Sequence, residues 1–198
     1  MQNGFRFAKA DYGQTPIIEE WLMDDSATLQ EGEAVKLKPD TAEGSVIRVS
    51  ATTEPVYGIC VGFLSKKNLP LAIDTGHGGT LTESPVGDTF VAASTNISTY
   101  KVKAKVIPIK GTTFSALLDA AKGSTTGSDR VGVYLSISTS DPSKLLETSV
   151  TTTFTAGTNG AQFVTVPGRA ADDPTDPADP TTTRILVRCV APGDQVLS

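Results

Sequence analysis

Thr99-Tyr100-Lys101-Val102-Lys103-Ala104-Lys105-Val106-Ile107 is the stretch that decides the fold class. Its period of two sends Lys101, Lys103 and Lys105 to one face of a strand, and Val102, Ala104 and Val106 to the other. Toward the N-terminus, Ala34-Val35-Lys36-Leu37-Lys38 alternates apolar and basic residues, and residues 39–44 turn the chain. Ser45-Val46-Ile47-Arg48-Val49-Ser50 follows as a second strand and Val56-Tyr57-Gly58-Ile59-Cys60-Val61-Gly62-Phe63 as a third, whose glycines predict a bend or a close backbone approach. Toward the C-terminus, residues 131–137, 148–155, 161–166 and 184–190 read as further strands. Two short helices are expected between them. Residues 114–122 end at Gly123, a favourable left-handed cap, and residues 141–147 begin with an Asp cap followed by Pro. The expected class is all-β, a small β-barrel or β-sandwich with one or two short helices.

Composition agrees. The 198 residues include 27 Thr, 16 Ser, 18 Gly and 12 Pro, a mixture of β-branched residues and turn formers. Seventeen Lys+Arg against 22 Asp+Glu give a net charge of -5, which argues against a basic nucleic-acid binder. The N-terminus lacks the apolar core of a secretory signal, and no run approaches the roughly 18 apolar residues of a membrane span. The expectation is a soluble protein made in a cytoplasm, contacting neither nucleic acid nor membrane. Cys60 and Cys189 each lie in an apolar run and read as small hydrophobes, with a disulfide as the alternative.

Residues 1–28 read as an extended N-terminal arm and 29–198 as the β domain. Thr15 and Pro16 leave a short helix open as the other reading of the arm. Residues 64–88 are loop-rich. An acidic excursion at 169–183 repeats Asp-Pro-X three times, a pattern suited to a semi-stiff polyproline II spacer. It lacks the ligand spacing of a calcium loop.

Asp74-Thr75-Gly76 matches the aspartic-protease signature, whose chemistry needs a second carboxyl close by to share one proton. No second Asp-Thr-Gly or Asp-Ser-Gly occurs. His77 is the only histidine and sits among glycines, so a His-pair zinc site is out of reach for one chain. The expectation is no enzyme, no catalytic residue, no metal and no cofactor. The lysine face of residues 101–105 has two readings. Lysines on an exposed strand deter edge-to-edge pairing. Alternatively, they form a strip that steers an acidic partner.

The run Leu29-Gln30-Glu31-Gly32-Glu33-Ala34-Val35-Lys36-Leu37, then Gly44-Ser45-Val46-Ile47-Arg48-Val49, then Pro55-Val56-Tyr57-Gly58-Ile59-Cys60-Val61-Gly62-Phe63 resembles head decoration (cement) proteins of tailed bacteriophages. The likeness covers residues 29–63. It implies a structural virion protein on the capsid exterior, bridging copies of a major capsid protein, and a homo-oligomer, dimer or trimer. The residues expected at the capsid interface are Phe5, Phe7, Tyr12 and Trp21 as aromatic anchors, with Lys101, Lys103 and Lys105 as steering charges. The alternative is a carbohydrate-binding or adhesion module, such as a head fibre or tail component, with Trp21 or a tyrosine as its platform.

Overall fold

The computed structural model describes residues 4–10, 15–38, 44–85, 87–119, 132, 134–146, 162–166 and 184–189. Their strands are β1 (Arg6–Ala10), β2 (Glu19–Leu22), β3 (Thr28–Gln30), β4 (Ala34–Lys38), β5 (Ser45–Arg48), β6 (Gly58–Leu64) and β7 (Gly79–Thr82). There follow β8 (Thr89–Ala92), β9 (Lys103–Pro108), β10 (Thr112–Leu118), β11 (Tyr134–Leu135), β12 (Lys144–Leu145), β13 (Phe163–Thr165) and β14 (Arg184–Cys189). The protein is all-β, as the alternation predicts.

Three sheets form. One runs β1-β10-β14-β13-β11 with β12 attached to β10, a second runs β2-β9-β6-β4-β5, and a third runs β3-β8-β7. Every ladder is antiparallel except β10–β12. The second sheet curls. Met23, just beyond β2, bridges Val46 of β5, and Asp24 N–H donates to Val46 O at 3.3 Å. Its two edge strands are thereby drawn together, so that it approaches a small barrel.

The middle sheet has a core on each side. Ala34, Ile59 and Ile107 pack with Phe114, Ala116, Leu118, Phe163 and Val187 of the first sheet. Val35, Val46, Cys60, Phe63, Ala104 and Val106 pack with Leu29, Phe90 and Ala92 of the third. A strand serving two cores needs both parities apolar, and Ile59-Cys60-Val61 supplies this. Gly62 then changes the phase. The pairing slips between Cys60 and Gly62, so Cys60 faces Val106, Gly62 faces Lys105 and Phe63 faces Ala104. Without this bulge Cys60 and Phe63, three residues apart, would point to opposite faces; with it both reach the same core. Gly62 has φ +149, a conformation that strongly favours glycine.

Two expected elements need correction. Residues 114–122 read as a helix, yet Thr112–Leu118 is strand β10, fully buried and paired on both sides, by β1 and β14. Ala and Leu favour helices only weakly, and the alternate positions Phe114, Ala116 and Leu118 all enter one core. At residues 141–147 the capping chemistry is present but propagates no helix. Asp141 Oδ1 accepts from Ser143 N–H at 3.2 Å and from its hydroxyl at 2.6 Å, and Lys144–Leu145 then pairs with β10 as β12. The one helical turn among the described residues is π-type, Asn96–Tyr100, and takes the start of the stretch read as strand 99–107.

The described part of the segment read as an arm, residues 4–10 and 15–28, is built into the sheets. β1 pairs with β10 and β2 with β9, so this segment supplies an edge strand to each of two sheets. Phe5 N–H donates to Gly32 O at 2.9 Å, and the buried Arg184 guanidinium donates to Gly4 O. Gly4 adopts φ +87, and a Cβ there would lie 2.8 Å from the Gly32 backbone. Gly4 and Phe5 are clamped between layers. The read strand 148–155 and the Asp-Pro excursion at 169–183 lie outside the described residues.

Candidate partner-binding surface

β2 is the edge of the middle sheet, and the residues before it, Ile17 and Ile18, are the most and third-most exposed large apolar side chains among the described residues, at 73% and 49%. Pairing with β9 puts Glu19 opposite Val106, Glu20 opposite Lys105, Trp21 opposite Ala104 and Leu22 opposite Lys103. Alternation then turns Glu19 and Trp21 to one side and Glu20 to the other. Trp21 packs partly onto the core beneath, edge-on to Tyr57, with ring centroids 5.4 Å apart and planes at 80°. Together Glu19, Glu20, Trp21, Leu22, Tyr57 and Lys103 line an open groove of about 560 Å³.

The polar atoms of the groove are ordered around one carboxylate. Trp21 Nε1–H donates to Glu19 Oε2 at 2.8 Å, and the Tyr57 hydroxyl donates to the same oxygen. Burial, and then the hydrogen bond and charge of Glu19, push the Tyr57 hydroxyl up to about 12. On the other side Lys103 Nζ donates to Glu20 Oε2 at 3.0 Å and to Asn68 Oδ1 at 3.2 Å.

The residues expected at an interface are dispersed. Phe5 is corrected outright: it is 2% exposed, stacked on Phe163 at 5.0 Å and edge-on to Phe114 at 6.4 Å, so it anchors the protein's own core. Phe7 is 37% exposed on β1, in another sheet from Trp21. Tyr12 lies outside the described residues. The lysine strip is also broken. Lys101 caps the π-turn in the left-handed region, φ 56, donating its N–H to Asn96 O. Lys103 is ion-paired, and Lys105 stands beside Gly62 near Glu31. β9 lies between β2 and β6, so its lysines guard no edge.

No family model, curated protein or solved structure matches this chain. The other motifs find structural places. Asp74 accepts a hydrogen bond from Ser65, which together with Gly76 N–H and Lys67 at 3.7 Å holds its carboxyl below the usual range. His77 packs edge-on to Phe90 at 5.3 Å. Asn96, fully buried, donates from Nδ2 to Met23 O at 2.7 Å and accepts from Val102 N–H at 3.1 Å, tying the π-turn to β2 and β9. Cys60 and Cys189 pack on different cores, and burial pushes the Cys60 thiol up. Among the described residues no group of three His, Cys, Asp or Glu could hold a metal ion.

Of the groove residues the sequence singles out Trp21 and Lys103. Ile17, Ile18, Glu19 and Tyr57 escape notice because their proximity depends on β2 joining β9. The adjacency Ile-Ile-Glu-Glu-Trp at 17–21, apolar then acidic then aromatic, is the one local signal that could have marked them.

Proposed function

We propose that this is a structural virion protein that binds the outside of a capsid and stabilises it by bridging capsid subunits. The observation that carries this reading is the exposed pair Ile17–Ile18 running directly into the Trp21 groove on an edge strand. A partner gains apolar area there and an aromatic anchor beside it. The likeness of residues 29–63 to phage head decoration proteins supplies the kind of partner, a major capsid protein. Mechanistically, each copy adds contacts across a joint between subunits, and expansion of the shell has to break them. Weak contacts repeated over a lattice add up through avidity.

Deleting the N-terminal segment is the wrong test, since it would remove β1, β2 and the Phe5 core contact. Ile17→Asp with Ile18→Asp leaves those in place. The double variant is expected to keep its unfolding free energy within about 0.5 kcal/mol per exposed position, and to stop co-sedimenting with expanded shells. Unchanged co-sedimentation would remove this surface from the interface. Mass spectrometry of purified particles checks the class directly, by whether the protein stands in stoichiometric ratio to a capsid protein.

A further inference from the structure

The groove beside β2 holds a charge that no cation among the described residues balances. Glu20 has Lys103, but Glu19 is held only by neutral donors, the Trp21 indole and the Tyr57 hydroxyl. Both donors are aromatic, and their rings meet nearly at right angles beside that carboxylate. Ring faces carry negative quadrupole density and attract cations, arginine most often among side chains. A carboxylate oxygen adds an ion pair, and the planar guanidinium can stack on a ring while donating in its own plane.

Other ligand classes fit less well. An anion would meet two carboxylates against a single ammonium that Glu20 already holds. A neutral sugar could use the ring surface but would leave the Glu19 charge unanswered. Ile17 and Ile18, next to Glu19 in the chain, add apolar surface that a free ion cannot use.

We propose that this groove receives an arginine side chain from a partly apolar segment of a partner protein, with the guanidinium on Glu19 beside the rings of Trp21 and Tyr57. This deepens the capsid-surface reading and rests on it for where the partner lies.

Trp21 is the only tryptophan, so intrinsic emission reports on the groove directly. The full chain is titrated with N-acetylarginine amide and with a short Arg-Leu peptide, and in parallel with methyl glucoside and sodium sulfate. Saturable change is expected with the two arginine ligands, with a millimolar midpoint that about 0.5 M salt weakens severalfold. Glu19→Gln keeps an acceptor for both aromatic donors and removes the charge. It is expected to weaken arginine binding about tenfold, with unchanged circular dichroism. The proposal is overturned if the glucoside saturates and arginine does not, if Glu19→Gln titrates like the parent, or if no arginine signal saturates by about 0.1 M. The wild-type arms need no variant, so misfolding of Glu19→Gln leaves the test decisive. Arginine binding lost while shells still bind the protein sinks this inference alone. Arginine binding intact without shell binding sinks the capsid reading alone.

Discussion

β1 and β2 come from the same N-terminal stretch, both are edge strands, and each pairs with an interior strand of its sheet. They nevertheless place their aromatics oppositely. Phe5, leading into β1, lies between two sheets against Phe114 and Phe163, and its neighbour Gly4 is bonded by Arg184 from β14. Trp21, within β2, has the core beneath it but an open groove beside it. An aromatic in a β protein thus becomes core or contact according to which layer its strand meets. Its place in the chain does not decide this.

The sharpest way to break the contrast is Phe5→Ala against Trp21→Ala, measured by urea unfolding. Emptying the Phe5 site is expected to cost about 3–5 kcal/mol, and half-buried Trp21 well under that. Equal losses would erase the distinction. Next in size is Gly4→Ala, where a left-handed backbone and the Gly32 main chain at 2.8 Å both oppose a Cβ. A loss of about 1–3 kcal/mol is expected, and an unchanged midpoint would mean that β1 is not clamped.

A smaller effect belongs to the groove. Tyr57→Phe removes one hydrogen bond to Glu19 and should cost about 1 kcal/mol at neutral pH. Because the folded hydroxyl is raised to about 12 from 10.0, its contribution is complete below pH 10 and is lost as pH climbs through 12. Spectrophotometric titration should show one tyrosine ionising late, and Glu19→Gln should bring that midpoint down. The smallest effect concerns the buried Glu33. Burial raises its carboxyl above 4.5, against the Gln30 N–H at 2.8 Å and Arg48 at 3.7 Å, which favour the charged form. Its raised value makes the protonated form the better folded one, so stability from this group is present in acid and falls as pH rises. Glu33→Gln should therefore raise the thermal midpoint slightly at pH 7 and leave it unchanged near pH 4. A gain confined to acid would reverse the assignment.

Much of the fold was legible where one residue parity is apolar. β4, β5 and β14 lie close to where alternation puts them, and the glycines of residues 56–63 do mark a bulge and a close approach. β10 was not legible, since an Ala-Leu-rich strand buried on both faces carries no alternation and imitates a helix. β1 was obscured for the opposite reason: Phe7, Ala8 and Lys9 are all exposed, so neither parity is marked. The groove was visible only in Trp21 and Lys103, because burial of Phe5 and exposure of Ile17 both follow from sheet order. Local chemistry does not encode sheet order.

Gly62 gives the seven residues of β6 a fixed count. Removing or adding one residue there would swap Cys60 or Phe63 from one core to the other and misfit two layers at once. Changes of length in this part of the chain can be absorbed instead by the largely exposed residues 72–76, between β6 and β7, so divergence in size should gather there while the strand keeps its reading frame.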